Sequence, residues 1–323
     1  MRDTKPGRAA PPRSGRGDWG ATALVEPEAQ WQPPDGVGAA GAAKSHRMWR
    51  VLLRSPLGMI GAGIMIVVVL IAIFAPVLSP HNPTAIHILH RLKPPGTPGH
   101  VLGTDSLGRD ILSRLLYGSR ISLTVGISAV VLGALIGVSA GLAAGYYGGW
   151  VDDVIMRIVD IFLAFPGILL AIAALAVLGA GLLNLVLVLG VLNWTGYARL
   201  VRGEVLSLRE KEFIEAARAT GARGWPVMMR HVLPNVVAPL IVVGSFAVAS
   251  TILTEAALEF LGLGLPPSVA SWGAMLAGGE NYLTSAWWLA AFPGLAIMIT
   301  VLGINLLGDW LRDVLDPRLR GTL

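Results

Sequence analysis

The sequence predicts an all-α membrane protein with six transmembrane helices, both termini in the cytoplasm and one large cytoplasmic loop. The 323-residue chain is 54% hydrophobic and only 14% charged, more apolar surface than a soluble domain of this size can bury. Six apolar stretches are each long enough to cross a bilayer. The basic residues concentrate in the segments on one side of these stretches.

Each predicted span is an apolar run of about 20 residues that contains no Lys, Arg, Asp or Glu. The fourth is short and turns polar in its second half, where Asn193 and Thr195 lie. The six spans are residues 57–78, 121–145, 161–180, 182–198, 236–254 and 286–308.

The distribution of Lys and Arg predicts the orientation. With the N-terminus inside, 20 of the 25 basic residues lie in cytoplasmic segments and 5 lie outside. Basic residues near membrane helices stay preferentially in the cytoplasm. We therefore expect a multi-pass membrane protein with both termini in the cytoplasm and attribute the net charge of +5 to its loops, not to nucleic-acid binding. The chain has no cysteine, which excludes disulfides and thiolate metal sites.

The chain divides into four predicted parts. Residues 1–45 are rich in Pro, Gly and Ala without apolar periodicity, which predicts a disordered cytoplasmic tail. Residues 46–120 hold the first span and an extracytoplasmic loop. Residues 121–309 form a five-helix core that includes a cytoplasmic loop at 203–235, and residues 310–323 form a cytoplasmic tail.

Four glycines in the second span, Gly133, Gly137, Gly141 and Gly145, are spaced four residues apart. This spacing lines one helix face with glycine and permits close backbone contact with a neighbouring helix. We interpret the face as packing inside the bundle; an interface with a partner subunit is the alternative.

The cytoplasmic loop predicts a helix–turn–helix elbow. A short amphipathic helix over residues 211–220 ends at Gly221, and a second begins at Pro226. Pro234 is expected to end that second helix, with Asn235 capping the fifth span. The apolar face of the first helix needs a partner, either another protein or the membrane surface.

This loop resembles the cytoplasmic loop of ABC-importer permeases, through Glu215-Ala216-Ala217, then Gly221, then Val232-Leu233-Pro234. In that family the loop carries the coupling helix, which docks on an ATPase subunit. The resemblance implies that Glu215 and the two alanines lie at the docking surface. It also implies that Gly221 makes the turn and that Pro234 closes the element.

Other segments resemble the C-type permeases of dipeptide, oligopeptide and nickel importers. The segments are residues 103–110, 119–123, 260–264, 271–273 and 307–318. The resemblance covers most of residues 47–320 and implies import of short peptides, with nickel complexes or glutathione as alternatives. Two residues depart from the family pattern: Glu259 replaces a small hydroxyl residue, and Trp310 replaces a glycine.

The resemblance also implies the partners: a homologous permease in a heterodimer, two ATP-binding subunits and an extracytoplasmic substrate-binding protein. The chain has no Walker loop, so ATP and Mg²⁺ are expected on the partner ATPases, and this chain is expected to carry no cofactor and no catalytic residue. A secondary transporter is the alternative from another class, but the internal repeats and interrupted helices typical of that class are not evident.

Two acidic residues, Glu255 and Glu259, lie one helical turn apart near the outer end of the fifth span. Ionisable groups in membrane segments are candidates for function, so both are candidates for the translocation path. Structural hydrogen bonds are the alternative. We favour the structural role for Glu255 and the path-lining role for Glu259.

The first outside loop holds two further candidate groups. Asp105, Arg109 and Asp110 are candidates for docking the binding protein, or for ion pairs that keep the loop folded, which we favour. Histidines at positions 81, 87, 90 and 100 suggest a metal site. Because the loop is dense in proline, we expect these histidines to be solvated and predict no metal site.

Overall fold

The structure is a computed structural model that describes residues 55–209, 211, 228–266 and 268–315. The predicted tail at 1–45 and four of the predicted coupling residues, Glu215, Ala216, Ala217 and Gly221, lie outside the described residues. Within the described ranges the chain is helical and has no β-strand, only two isolated bridges in the loop that precedes residue 111. This confirms the all-α membrane class.

Eight α-helices account for most of the described residues. They are α1 (Pro56–Leu78), α2 (Ile111–Tyr147), α3 (Gly149–Leu163), α4 (Gly167–Leu178), α5 (Leu182–Arg209), α6 (Leu233–Phe260), α7 (Trp272–Gly279) and α8 (Trp288–Leu315). Short turns lie at Ile88–His90 (3-10), Met228–Val232 (π) and Glu280–Tyr282 (3-10).

Five of these helices, α1, α2, α5, α6 and α8, are long and apolar enough to cross a membrane. The predicted third span at 161–180 is not one straight helix. Its residues divide between α3 and α4, which meet at an angle of 86° and together can form a sixth span. Pro166 explains the break, because proline lacks an N–H group and disfavours helical geometry at the residue before it.

The observed helices are longer than the predicted spans. α2 begins at Ile111 instead of residue 121, α5 continues to Arg209, and α8 continues to Leu315 through much of the predicted C-terminal tail. An apolar run shows only the part of a helix that contains no charged residue. The helix itself continues where charged side chains have partners or reach water. The α1–α2 loop therefore covers residues 79–110 and does not extend to residue 120 as predicted.

The start of α6 also differs from the prediction. Val232, not Asn235, is the cap, and Pro234 lies in the first helical turn, where a missing N–H is tolerated. The π turn leads directly into α6. Pro234 therefore starts a membrane helix instead of ending a separate short one.

The glycine face of α2 lies against α5. A Cβ added at Gly137 would be 2.3 Å from the carbonyl oxygen of Trp194 and 2.6 Å from Cβ of Tyr197. A Cβ at Gly141 would be 2.6 Å from the carbonyl oxygen of Ala198. Gly133 and Gly145 meet α5 at similar separations. The two backbones therefore touch within this chain, and a side chain at these positions would separate them.

The helices α1 and α8 make a second close contact. A Cβ at Gly61 would be 2.7 Å from the backbone nitrogen of Leu307. Trp310, one of the two departures from the family pattern, is buried and packs over Gly58, where an added Cβ would be 2.7 Å from its ring. The indole therefore occupies space that a glycine at position 58 leaves open.

Replacing Gly137 with alanine should destabilise the protein, because the new methyl group meets backbone atoms of α5. We expect a loss of about 1–3 kcal/mol, seen as a lower melting temperature of the purified protein in detergent. The matched control is Gly196→Ala on α5, where an added Cβ has no atom within 4 Å. Equal melting temperatures for the two variants would contradict this contact.

Candidate functional site

The polar residues identified from the sequence gather at one end of the bundle. This polar end comprises the α1–α2 loop, the start of α2, the end of α6, and α7. Two tryptophan side chains join its parts. Trp272 donates from Nε1 to the carbonyl of Leu115 at 3.0 Å, and Trp288 donates from Nε1 to the carbonyl of Thr104 at 3.3 Å.

Asp105 organises the turn that precedes α2. Its Oδ1 accepts hydrogen bonds from the backbone nitrogens of Leu107 and Arg109, both at 2.9 Å, and its Oδ2 lies 2.6 Å from Nε of Arg109. Asp105 is buried. A buried carboxylate with these partners closes a tight loop.

Asp110 caps α2. Its Oδ2 accepts from the backbone nitrogen of Ser113 at 2.8 Å and from the Ser113 hydroxyl at 2.7 Å. Its Oδ1 faces Nδ1 of His100 at 3.0 Å. Asp110 is also buried, so both aspartates have contacts that support the favoured role of holding the loop folded.

Two positions in the segment 103–110 require glycine. Gly103 and Gly108 have φ values of +82° and +76°, which side-chain-bearing residues rarely adopt. A Cβ at Gly103 would lie 2.4 Å from the carbonyl oxygen of Lys93, and one at Gly108 would overlap the carbonyl of His87. The signature segment 103–110 therefore packs directly on residues 87–95.

Arg114 is a residue that the sequence did not single out, because the predicted helix began after it. Its side chain is 3% exposed, and its Nε lies 3.8 Å from Oδ2 of Asp105. It also donates to the carbonyl of Pro83 at 3.4 Å. A buried guanidinium therefore joins the first turns of α2 to both ends of the α1–α2 loop.

Glu259 lies in the interior of the polar end and is 4% exposed. Its Oε2 accepts from the hydroxyl of Ser271 at 2.6 Å and from the backbone nitrogen of Ala274 at 3.1 Å. A Cβ at Gly273 would lie 2.6 Å from this oxygen. The carboxyl group therefore holds the N-terminus of α7 against the end of α6.

Glu255 is fully buried, and its Oε1 accepts from the hydroxyl of Ser122 on α2 at 3.3 Å. The other oxygen of each group, Oε2 of Glu255 and Oε1 of Glu259, is also buried, and the two carboxyl groups lie within hydrogen-bonding reach of each other. These contacts place both carboxyl groups between α2, α6 and α7. They agree with the structural role favoured for Glu255, and the path-lining role of Glu259 stays a prediction.

The histidines of the α1–α2 loop are not uniformly solvated. His87 and His90, the pair suggested by spacing, are exposed and their ring centroids lie 6.2 Å apart. In contrast, His100 is buried, and His81 and His100 converge on Asp110. The expectation of a solvated loop is therefore wrong for His100. Contacts between residues so far apart in the sequence leave no local pattern.

The element that follows the predicted elbow is anchored to two membrane helices. Met228, Val232 and Val236 are buried in one apolar cluster. Leu142 of α2 and Val201, Val205 and Leu208 of α5 complete that cluster. The π turn and the start of α6 therefore pack on the ends of α2 and α5 opposite the polar end.

Two ion pairs join α5 to α3 near the same region. Arg202 binds Asp152 through two nitrogens at 2.5 and 2.6 Å, and Arg199 lies 2.6 Å from Asp160. The first pair is bidentate and partly buried, the geometry in which a guanidinium–carboxylate contact is most directional. It fixes the start of α3 before the bend at Pro166.

Comparisons with known proteins agree with this architecture. Residues 120–321 match the family described as binding-protein-dependent transport system inner membrane component. Residues 45–95 match the N-terminal TM domain of oligopeptide transport permease C.

Several curated proteins are similar over nearly the whole chain. A glutathione transport system permease protein of Pectobacterium atrosepticum is 45% identical, over 85% of this chain and 91% of that protein. A dipeptide transport system permease protein of Alkalihalophilus pseudofirmus is 43% identical, over 93% of this chain and 98% of that protein. A putative peptide transport system permease protein of Brucella suis is 45% identical, over 84% of this chain and 91% of that protein.

Among solved structures, one of the MetNI methionine ABC transporter in an inward-facing conformation has a similar fold. The TM-score is 0.51 at 22% identity, and the match covers 63% of this chain and 97% of that chain. At this identity the likeness concerns the fold alone.

Replacing Ser271 with alanine should release the N-terminus of α7. The substitution removes the N-cap of α7 and a donor to a buried carboxyl group. We expect the two losses together to lower the free energy of unfolding by about 2 kcal/mol. A lower melting temperature of the purified protein would show this. Ser268→Ala, an exposed position in the same loop, is the control and should leave the melting temperature unchanged. A stable Ser271→Ala protein would contradict the role given to Glu259.

Proposed function

Since this chain belongs to the family of binding-protein-dependent transport system inner membrane components, in the peptide/nickel branch of ABC-importer permeases, we propose that it carries short peptides across the bacterial cytoplasmic membrane. It is a multi-pass inner-membrane permease subunit. The similarity to permeases named for dipeptides, peptides and glutathione, each over at least 84% of this chain, carries the substrate proposal. Glutathione is itself a tripeptide, so these names share one substrate chemistry.

The family implies ATP-binding subunits and a substrate-binding protein. We propose that two such ATPases bind ATP and Mg²⁺ and that this chain has no enzymatic activity of its own. Their docking surface is the loop that holds Glu215, Ala216, Ala217 and Gly221, which continues towards Pro234. ATP-driven closure of the ATPases displaces this loop and switches the path between outward- and inward-facing states.

The apolar cluster around Val232 supports this coupling route. The element that follows the loop packs on both α2 and α5, and these two helices are in backbone contact along the glycine face. Packed elements of this kind move as rigid bodies because close-packed interiors do not deform continuously. A displacement of the loop therefore reaches the helix pair as a unit.

The polar end is proposed to face outside, with both termini in the cytoplasm and a homologous permease as partner in a heterodimer. The substrate-binding protein then docks on the α1–α2 loop. The side chains of Val101 and Leu107 are exposed there and can contact it. The folded conformation of this surface depends on the contacts of Asp105, Arg109 and Asp110.

Replacing Gly221 with valine should abolish peptide uptake, because a β-branched residue cannot make the predicted turn. The amount of protein in the membrane should stay normal. The matched control is Gly63→Val on α1, where an added Cβ has no atom within 4 Å; its uptake should be retained. Normal uptake by the Gly221→Val protein would contradict the coupling role.

The substrate class is tested by uptake in a strain whose chromosomal genes for the transporter are deleted. The strain is compared with and without a plasmid that carries the complete transporter. We expect labelled di-, tri- or pentapeptides, including glutathione, to enter only when the intact system is present, and ATPase subunits to co-purify with the tagged chain. Uptake of nickel without peptide uptake would overturn the peptide assignment. Uptake without any co-purifying ATPase would favour a secondary transporter.

A further inference from the structure

In place of the absence of a metal site predicted from the sequence, we propose that His81, His100 and Asp110 form a binding site for one divalent transition-metal ion in the α1–α2 loop. Each of the three residues offers a ligand atom, and these atoms lie within 4.8 Å of one another. Two imidazoles and one carboxylate favour ions such as Zn²⁺, Ni²⁺ or Cu²⁺ over Mg²⁺ and Ca²⁺, which prefer oxygen ligands.

The core of the site is the pair formed by His100 and Asp110. Nδ1 of His100 lies 3.0 Å from Oδ1 of Asp110, and both side chains are almost completely buried. Ligands of a tetrahedral zinc site on metal bonds of about 2.1 Å are about 3.4 Å apart. An ion can therefore replace the proton between these two atoms if they separate by about 0.4 Å.

The backbone and Ser113 hold this pair in place. Ser113 donates twice to the other carboxylate oxygen, Oδ2 of Asp110, at 2.8 and 2.7 Å. The Ser113 hydroxyl also accepts from the backbone nitrogen of His81 at 3.1 Å. The chain segment that carries the third ligand is thus tied to the first turn of α2.

His81 supplies the third ligand from the solvent side. Its Nδ1 lies 3.9 Å from Oδ2 of Asp110, and its side chain is 39% exposed. It borders a cleft that is also lined by Pro76, Tyr117 and Val269. This exposure lets the imidazole turn towards the ion and gives the ion a way in.

His90 completes the surroundings of His100. Its Nδ1 lies 3.4 Å from Nε2 of His100. When His100 binds a metal through Nδ1, Nε2 keeps its proton and can donate it to His90, as metal-binding histidines usually do with their second nitrogen. His90 is therefore a positioning residue for the site.

Three protein ligands leave at least one coordination position for water or for a ligand carried with the ion. The bound ion would connect the segment just after α1, which contains His81, to the first residue before α2, which is Asp110. Metal binding should therefore stabilise the folded loop as well as saturate one site.

The test uses the full chain without a histidine tag, purified in detergent, with Zn²⁺ as the probe. We expect saturable binding of one Zn²⁺ per chain by equilibrium dialysis and a rise in melting temperature with Zn²⁺ concentration. His81→Ala should weaken binding at least about tenfold. Because His81 is exposed, this variant should fold, as its melting temperature without metal will show.

His87→Ala is the matched control, since His87 is an exposed histidine of the same loop outside the three ligands. It should bind Zn²⁺ as the unaltered protein does, whereas His90→Ala should show an intermediate loss. The proposal is overturned if the unaltered chain shows no saturable binding or if His81→Ala binds equally well. It is also overturned if His87→Ala loses binding as much as His81→Ala does.

Discussion

The backbone contact between α2 and α5 is the constraint on which the rest of the structure depends. Lipid tails are as apolar as the side chains that face them, so helices in a bilayer associate mainly through close packing and interhelical hydrogen bonds. The glycines at 137 and 141 allow α5 to approach within van der Waals contact of the α2 backbone. The position of α2 then decides where the α1–α2 loop and the first turn of α6 can pack.

The two ends of this helix pair have different chemistry. At one end, Arg114 lies beside the buried Asp105, and two other buried carboxyl groups, those of Asp110 and Glu259, accept from backbone nitrogens in the first turns of α2 and α7. At the other, an apolar cluster joins the pair to the π turn before α6, and ion pairs tie α5 to α3. A polar network needs a fixed geometry to remain satisfied, whereas the close-packed apolar cluster makes the π turn and the two helix ends move together. The first end is thus suited to a rigid platform and the second to transmitted motion.

The sequence was sufficient for five of the six spans and for the family, because both depend on local composition and contiguous motifs. It was insufficient wherever a contact links distant residues. Arg114 was counted as a loop residue because its partner Asp105 lies in the preceding turn. The contact between Glu259 and the hydroxyl of Ser271 exists only in the folded chain. The convergence of His81 on Asp110 likewise depends on the course of a proline-rich loop. The bend at Pro166 was missed for a different reason, since it lies inside an unbroken apolar run that hydropathy reads as one span.

The buried carboxyl groups of α6 depend on donors that are synthesised at different times. A carboxyl group is costly in the hydrocarbon core unless it finds a partner. Ser122, which bonds Glu255, is synthesised long before α6 and is available when that helix enters the bilayer. The donors to Glu259, Ser271 and the backbone of Ala274, are synthesised only after it. The C-terminal part of α6 therefore lacks these two donors until translation has passed the start of α7.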